Sequence, residues 1–282
     1  MTKALLLYSK GLDSILAKEI LEKQGIEVHT MNFGSCFFEG EIDISDELLE
    51  VVKKPKYGRG KGMNPCLDCH LLMYKKAKEI MLEKGYDFIA TGEVVSQRPF
   101  SQTRDKLLFL EKKAGLEGLI LRPLSQKLFP LTIFEKKGIV KRDEFYDISG
   151  KSRKRQLELA KEFGISSIPM PAGGCILTDK EYSKKLKKLI EIKPDFDSND
   201  AKVLTKGRVF FDEKTMFVVT RNKEEGEEIR NFFKKGDVVL EPQNFPGPTV
   251  LVRGSLIKKG KEYLIKYSKK VPEKPNILIK RI

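Results

Sequence analysis

Tryptophan is absent from the 282 residues, histidine occurs twice and cysteine four times. So few cysteines cannot build a disulfide scaffold. Two of them, in Cys66-Leu67-Asp68-Cys69, have a spacing that in a reducing compartment points to metal or redox chemistry. No apolar run approaches the length of a membrane span, and the first hydrophobic stretch lacks the charged start and cleavage site of a secretion signal. A cytoplasmic location is expected. No Gly-Lys-Ser/Thr follows the first strand at Walker spacing, which excludes that form of phosphate loop. The missing Trp, beside abundant Lys and Glu, matches the bias of thermophile proteins.

What is present is positive charge. The formal net charge is +14, and residues 180–282 hold 25 Lys and Arg against 15 Asp and Glu, so most of the excess lies in the C-terminal third. A polyanion such as nucleic acid accounts for this economically, because basic side chains displace counterions from phosphates and steer association. A solvated Lys-rich surface is the plainer alternative. The length is too great for one small core, and a hydrophobic content of 40% can fill two.

The most informative segment is Ala4-Leu5-Leu6-Leu7-Tyr8 running into Ser9-Lys10-Gly11-Leu12-Asp13-Ser14 and then into a helix-forming stretch. A buried strand, a tight turn and a helix start bring backbone N–H groups together around an anion. Gly11 permits close approach, and Ser9 and Ser14 offer hydroxyls. The Asp13 carboxylate suits a phosphate only with Mg²⁺ between them. Simple helix capping by Asp13 or Ser14 is the competing reading.

Strand-like runs at 28–33 and 88–92 alternate with helical patterns such as 71–84. The expected fold is therefore α/β, a parallel sheet with helices on both faces. Ligands in such sheets bind beyond the carboxyl ends of the strands. There the 9–14 turn, Asn32, Phe33 and Gly34, and Gly92 with Glu93 would converge. On the same grounds Arg98, Arg122 and Lys127 are candidates to touch phosphate. Residues 34–64 look irregular and end in the basic, glycine-rich 57–62, which reads as a mobile loop. The cations of 149–156 open a helix, against its dipole, so that an external phosphate would compensate.

Beyond residue 179 the pattern changes to short strands, among them 209–211, 216–220, 238–240, 249–252, 263–267 and 277–279, with one helix over 223–233. This is a smaller α+β domain. Its Lys258, Lys259, Lys261, Lys266, Lys269 and Lys270 lie among Tyr263 and Tyr267, a mixture suited to backbone phosphates and base stacking, although each aromatic singly suits a core.

Asn64-Pro65-Cys66-Leu67-Asp68-Cys69-His70 opens a helix, and Cys175 follows a glycine-rich turn that begins at Pro171. Three thiols make an incomplete tetrahedron. Zinc would need His70 or Cys36 as a fourth ligand, whereas an iron–sulfur cluster on three cysteines leaves one iron open. Without metal, a cysteine at a helix N-terminus with a lowered pKa could carry a persulfide.

The turn resembles that of the PP-loop ATP pyrophosphatases, whose signature reads Ser-Gly-Gly-x-Asp-Ser. Ser9, Gly11, Asp13 and Ser14 match it, and Lys10 replaces the first glycine, either lending charge to pyrophosphate or pointing outward on a backbone that needs no positive φ. With 64–69 and Cys175, the resemblance extends over most of residues 1–179 to the PP-loop enzymes that thiolate tRNA, the 2-thiouridine and 4-thiouridine synthetases. The C-terminal region resembles the RNA-binding module of the NFACT proteins.

This resemblance implies an ATP-dependent tRNA sulfurtransferase that adenylates a uridine carbonyl and replaces its oxygen with sulfur. It implies a catalytic domain over 1–179, a linker over 180–204 and an RNA-binding domain over 205–282. Asp13, Cys66, Cys69 and Cys175 are the implied catalytic residues. Ser9, Lys10, Gly11, Asp13, Ser14, Asn32, Phe33 and Gly92 would bind ATP with Mg²⁺. Cys66, Cys69 and Cys175 would hold a 4Fe-4S cluster; zinc, or a persulfide on Cys175 resolved by Cys66 or Cys69, are the alternatives. Cys36 is then a spectator or a sulfur relay. The implied partners are tRNA and a sulfur donor (sulfide, persulfide or a carrier protein), and a homodimer is compatible. The rival readings are a PP-loop amidating or metabolite ligase and a nonenzymatic zinc-stabilised RNA-binding protein.

Overall fold

Ala4, Leu5 and Leu6 are almost completely buried, as a continuous apolar run must be when helices cover both faces of its sheet. In a computed structural model, which describes residues 1–170 and 174–282, the chain divides into two compact units, Met1–Cys175 and Ile176–Ile282. Pro171, Ala172 and Gly173 of the glycine-rich turn lie outside the described residues.

The first unit contains β1 (Lys3–Leu7), α1 (Leu12–Lys23), β2 (Glu27–Met31), the two-residue strands β3 (Phe33–Gly34) and β4 (Ile42–Asp43), α2 (Ser45–Lys53), α3 (Cys66–Lys84), β5 (Phe88–Thr91), α4 (Arg104–Ala114), β6 (Ile120–Leu121), α5 (Ile133–Lys136) and α6 (Lys154–Glu162). The main sheet has the order β2-β1-β5-β6 and every pair in it is parallel. Alternation along β1 and β5 divides the core. Ala4, Leu6, Phe88 and Ala90 face a cluster containing Leu16 and Ile20 of α1 and Leu159 of α6. Leu5 and Ile89 face Tyr74, Ala77 and Met81 of α3 and Leu110 of α4. The expected parallel α/β sheet with helices on both faces is thus present.

Residues 34–64 hold more order than expected. They contain α2, whose Leu48, Leu49 and Val52 are buried. The basic 57–62 segment is tied down as well. Asp68 of α3 accepts the amides of Lys56 (3.0 Å) and Tyr57 (2.9 Å), and Arg59 Nη2 donates to Val52 O at 2.9 Å. The cations of 149–156 are likewise partly satisfied within the unit, since Arg155 pairs with Glu158 and Glu162.

The second unit contains α7 (Lys180–Ile192), α8 (Ser198–Val203), β7 (Arg208–Asp212), β8 (Thr215–Val219), α9 (Lys223–Glu228), β9 (Val238–Pro242), β10 (Val250–Arg253), α10 (Ile257–Tyr267) and β11 (Ile277–Arg281). Its sheet is antiparallel throughout, in the order β11-β9-β10-β8-β7. Residues 180–204, read as a linker, carry α7 and α8 of this unit, with Tyr182, Leu186 and Leu189 buried. Residues 263–267, read as a strand, belong to α10. Gly260 and Leu264 face the sheet at helical spacing, and a Cβ on residue 260 would lie 2.5 Å from Val252 Cγ2. Close helix–sheet packing, permitted by that glycine, overrides the strand preference of Tyr and Ile. Arg253 fastens the sheet to α8 by donating to Asp200 Oδ1 at 2.6 Å and to both oxygens of Asp237.

Candidate functional site

The 9–14 turn follows β1 directly, and α1 begins with no side-chain cap on Gly11, so its first amides are available to an anion. Ser14 Oγ donates to Gly11 O at 2.8 Å and Ser9 Oγ lies 3.4 Å from Ser14 Oγ, placing both hydroxyls inside the turn. Lys10 adopts φ +60°. The position of the first signature glycine therefore does take left-handed backbone, contrary to the expectation that no positive φ is needed there, and Lys10 tolerates it. Its ammonium reaches Glu41 at 3.1 Å.

Gly92, just past β5, abuts this turn, where a Cβ would come within 2.6 Å of Ser14 N. Only glycine lets the two strand ends close together there. Asp13 Oδ2 accepts from Gln97 Nε2 at 2.9 Å, while Asp13 Oδ1 is buried without a hydrogen-bond partner among the described residues. An orphaned carboxylate oxygen next to free helix amides fits a magnesium–phosphate pair. Asn32 O accepts the amides of Glu41 and Ile42, and the Phe33 ring is buried in the α3-side core, so Phe33 offers a ligand its backbone rather than its ring.

Cys66 and Cys69 lie in the first turn of α3, both half-buried. Asn64 Nδ2 donates to Cys66 Sγ at 3.0 Å. Cys175 is close enough for its charge to act on both thiols. Burial, and then the neighbouring thiols, push Cys66 up and Cys69 up to about 12. This reverses the lowered pKa expected from a helix N-terminus, because desolvation outweighs the dipole. Among the described residues no group of three His, Cys, Asp or Glu is placed to hold a single metal ion. His70 Nδ1 donates to Glu93 Oε1 at 3.0 Å, which leaves its Nε2 unengaged by that bond, and Cys36 is buried. The three sulfurs are a donor set whose chemistry fits an iron–sulfur cluster.

Behind the site runs a buried polar network that composition and spacing did not reveal. Glu93 accepts from His70, Tyr74, Thr91 and Arg122 Nε, and Arg122 also donates to Glu111 and, at 2.9 Å, to Tyr74. Burial opposes the Glu93 carboxylate, but the His70 bond and the Arg122 charge outweigh it and hold its pKa well below the usual range. Arg122, fully buried on these partners, does not reach a phosphate, and Lys127 donates to Asp143 O at 3.0 Å. The network joins the thiol-bearing α3 to the end of β5. The local signal for it was Glu93 directly after Gly92, at the ligand edge of a parallel sheet.

With an uncapped helix start after the first strand of a parallel sheet and cysteines at the start of α3, the chain resembles the PP-loop nucleotide-binding class that thiolates tRNA. Comparison with known proteins agrees. Residues 207–277 match the family described as the NFACT protein RNA binding domain. The chain is similar to a tRNA sulfurtransferase of Desulfurococcus amylolyticus, 30% identical over 145 residues, covering 43% of this chain and 29% of that protein. It is also similar to the tRNA-specific 2-thiouridylase MnmA of Proteus mirabilis, 24% identical over 192 residues, covering 66% of this chain and 46% of that one. The chain thus spans less than half the length of these relatives. Among solved structures, a 4-thiouridine synthetase–RNA complex with bound ATP has 22% identity and a TM-score of 0.39, covering 72% of this chain and 52% of that one. A likeness that partial adds nothing to the fold read directly from the strand order. Among the described residues no helix is long and apolar enough to cross a membrane.

Proposed function

We propose that the chain is an ATP-dependent tRNA sulfurtransferase that adenylates a uridine carbonyl and exchanges its oxygen for sulfur, working in the cytoplasm with tRNA and a sulfide-class donor as partners. The observation that carries this reading is the junction of two chemistries. Asp13 of the phosphate turn and Cys66 of the thiol group are both reached from the segment that follows Gly92.

In this reading the free amides of α1, with Ser9 and Ser14, bind the β- and γ-phosphates, and Asp13 takes the magnesium that shields them. Asn32 and Gly92 line the nucleotide crevice, and Lys10 exchanges Glu41 for pyrophosphate. A uridine oxygen is a poor leaving group until it becomes a phosphate ester, so positioning and charge stabilisation at the turn are the first task. Cys66, Cys69 and Cys175 would hold a 4Fe-4S cluster, which supplies an open coordination position for sulfur when bound. The raised pKa of the Cys66 and Cys69 thiols favours this over a free-thiol persulfide route, since a buried thiolate needs a cationic partner. The basic second unit, with its match to an RNA-binding family, would hold the tRNA backbone.

The test is pyrophosphate release. The full chain with ATP and Mg²⁺ is expected to release pyrophosphate only when tRNA is added, and Asp13→Ala to lose at least a hundredfold of that rate, on the order of one lost charge stabiliser. Binding of tRNA with no ATP consumption would remove the enzyme reading in favour of a nonenzymatic RNA-binding protein.

A further inference from the structure

Segment 94–102 is closed on itself and anchored at its start. Val95 N donates to Ser125 Oγ at 3.1 Å and Gly150 N to Val95 O at 2.8 Å. Within it, Ser96 adopts φ +61° and donates its amide to Gln102 O at 2.7 Å, and the amides of Ser101 and Gln102 turn back onto Arg98 O at 3.2 and 2.8 Å. A serine in left-handed backbone costs about 1 kcal/mol and is kept where the surrounding structure enforces it.

This loop touches both halves of the site. Gln97 donates to Asp13 at 2.9 Å. One residue on, the charge of Arg98 acts on the Cys66 thiol, and the hydroxyl of Ser101 stands beside the same sulfur. The side chains around it are buried and incompletely satisfied: Asp13 Oδ1, Asn64 Oδ1, Ser101 Oγ and Gln102 Oε1 lack hydrogen-bond partners among the described residues. Buried polar atoms left unpaired in one place indicate a missing ligand.

Among the cations near the site, Lys10 is paired with Glu41, Arg122 is buried on two carboxylates and Lys127 is engaged. Arg98 is exposed; its carbonyl closes the loop, while its guanidinium has no hydrogen bond or ion pair among the described residues. It stands between the turn that would hold the triphosphate and the sulfurs that would deliver the nucleophile.

We propose that Arg98 is a catalytic residue of the sulfur-transfer step, contacting the phosphate of the adenylated uridine, and that Gln97 positions it through Asp13. This rests on the sulfurtransferase reading. In the step it serves, a hydrosulfide sulfur adds to the activated uridine carbon and the carbon–oxygen bond to phosphate breaks. The electron pair stays on the phosphate oxygen of departing AMP, and the sulfur proton passes to water. AMP gains negative charge as it leaves, and a guanidinium can meet two of its oxygens at once. Adenylation passes through the same phosphate, but there the charge develops on the pyrophosphate that departs at the turn, whereas in sulfur transfer it develops on AMP, so loss of the guanidinium weighs on the second half-reaction.

The experiment uses the full chain with tRNA, ATP, Mg²⁺ and sodium sulfide, and compares tRNA-dependent ATP–pyrophosphate exchange with thiouridine formation in a single turnover. Arg98→Ala is expected to keep exchange within about threefold while thiouridine formation falls about a hundredfold, the size of one lost charge stabiliser. Arg98→Lys should recover part of the loss, and Gln97→Ala should move the same ratio by about tenfold, as expected of a positioning residue. Wild-type thiolation by Arg98→Ala would overturn the proposal, and so would parallel loss of both half-reactions, which is what a merely structural role produces. Failure of the parent reading looks different: the unmodified chain would show no exchange at all.

Discussion

Lys10 shows how a single residue departs from a motif while its backbone does not. At φ +60° a side chain with a Cβ costs roughly 1–2 kcal/mol, and glycine gives back part of that through its greater freedom when unfolded. Comparing Lys10→Gly with Lys10→Ala isolates the dihedral, because both variants lose the exposed pair with Glu41. The glycine variant should be the more stable by about 0.5 kcal/mol, read as a higher thermal midpoint. Equal midpoints would show that the turn relaxes without strain. The Cys66 and Cys69 thiols carry a related lesson. Their position at a helix start was legible in the sequence, but the direction of their pKa was not, because it depends on how the surrounding chain buries them.

At the scale of elements, the strands and helices that carry the site were legible because their hydrophobic periods are strong: β1 is a continuous apolar run and α3 is nineteen residues long. What was illegible was tertiary in origin. Nothing local marks Asp68, set between two cysteines, as the acceptor that folds 56–57 back onto α3, so that stretch read as mobile. In α10, whose 263–267 read as a strand, Gly260 is the contact point with the sheet. Removing the acceptor should loosen the loop: Asp68→Ala should lose about 2 kcal/mol from two amide bonds to a buried carboxylate. The amides of Lys56 and Tyr57 should also exchange with solvent faster. Unchanged exchange at these two positions would mean that Arg59 and the Tyr57 ring hold the loop by themselves.

For the whole molecule, each unit carries a buried ion cluster that makes stability depend on pH. Burial raises Asp200, yet its bonds from Lys193, the Asp197 backbone and Arg253 outweigh that and hold its pKa well below the usual value; Glu93 is lowered in the same sense. A carboxylate with a depressed folded pKa contributes stability above its unfolded pKa, near 3.8 for Asp200 and 4.5 for Glu93, and loses it as pH falls toward the folded value. Glu111 works the other way. Burial raises its pKa despite Arg122, so its contribution grows on acidification and softens the acid limb of the first unit. Thermal unfolding followed from pH 7 to pH 3 should therefore show a steep loss below about pH 4.5. Asp200→Asn should flatten that loss for the transition of the second unit only. An unchanged slope in the variant would place the acid sensitivity elsewhere.

The proposed function divides between the units in the same way. The first carries the 9–14 turn and the three cysteines, and the second has the excess of positive charge and a match to an RNA-binding family. Their joint product would be a thiolated tRNA, and mass spectrometry of its nucleosides reads that product directly. After anaerobic incubation of the full chain with unmodified tRNA, ATP, Mg²⁺ and sulfide, digestion should yield thiouridine, with one sulfur in place of one oxygen, and none when ATP is omitted. Unmodified uridine throughout, from protein that binds the tRNA and retains its iron and sulfide, would contradict the account.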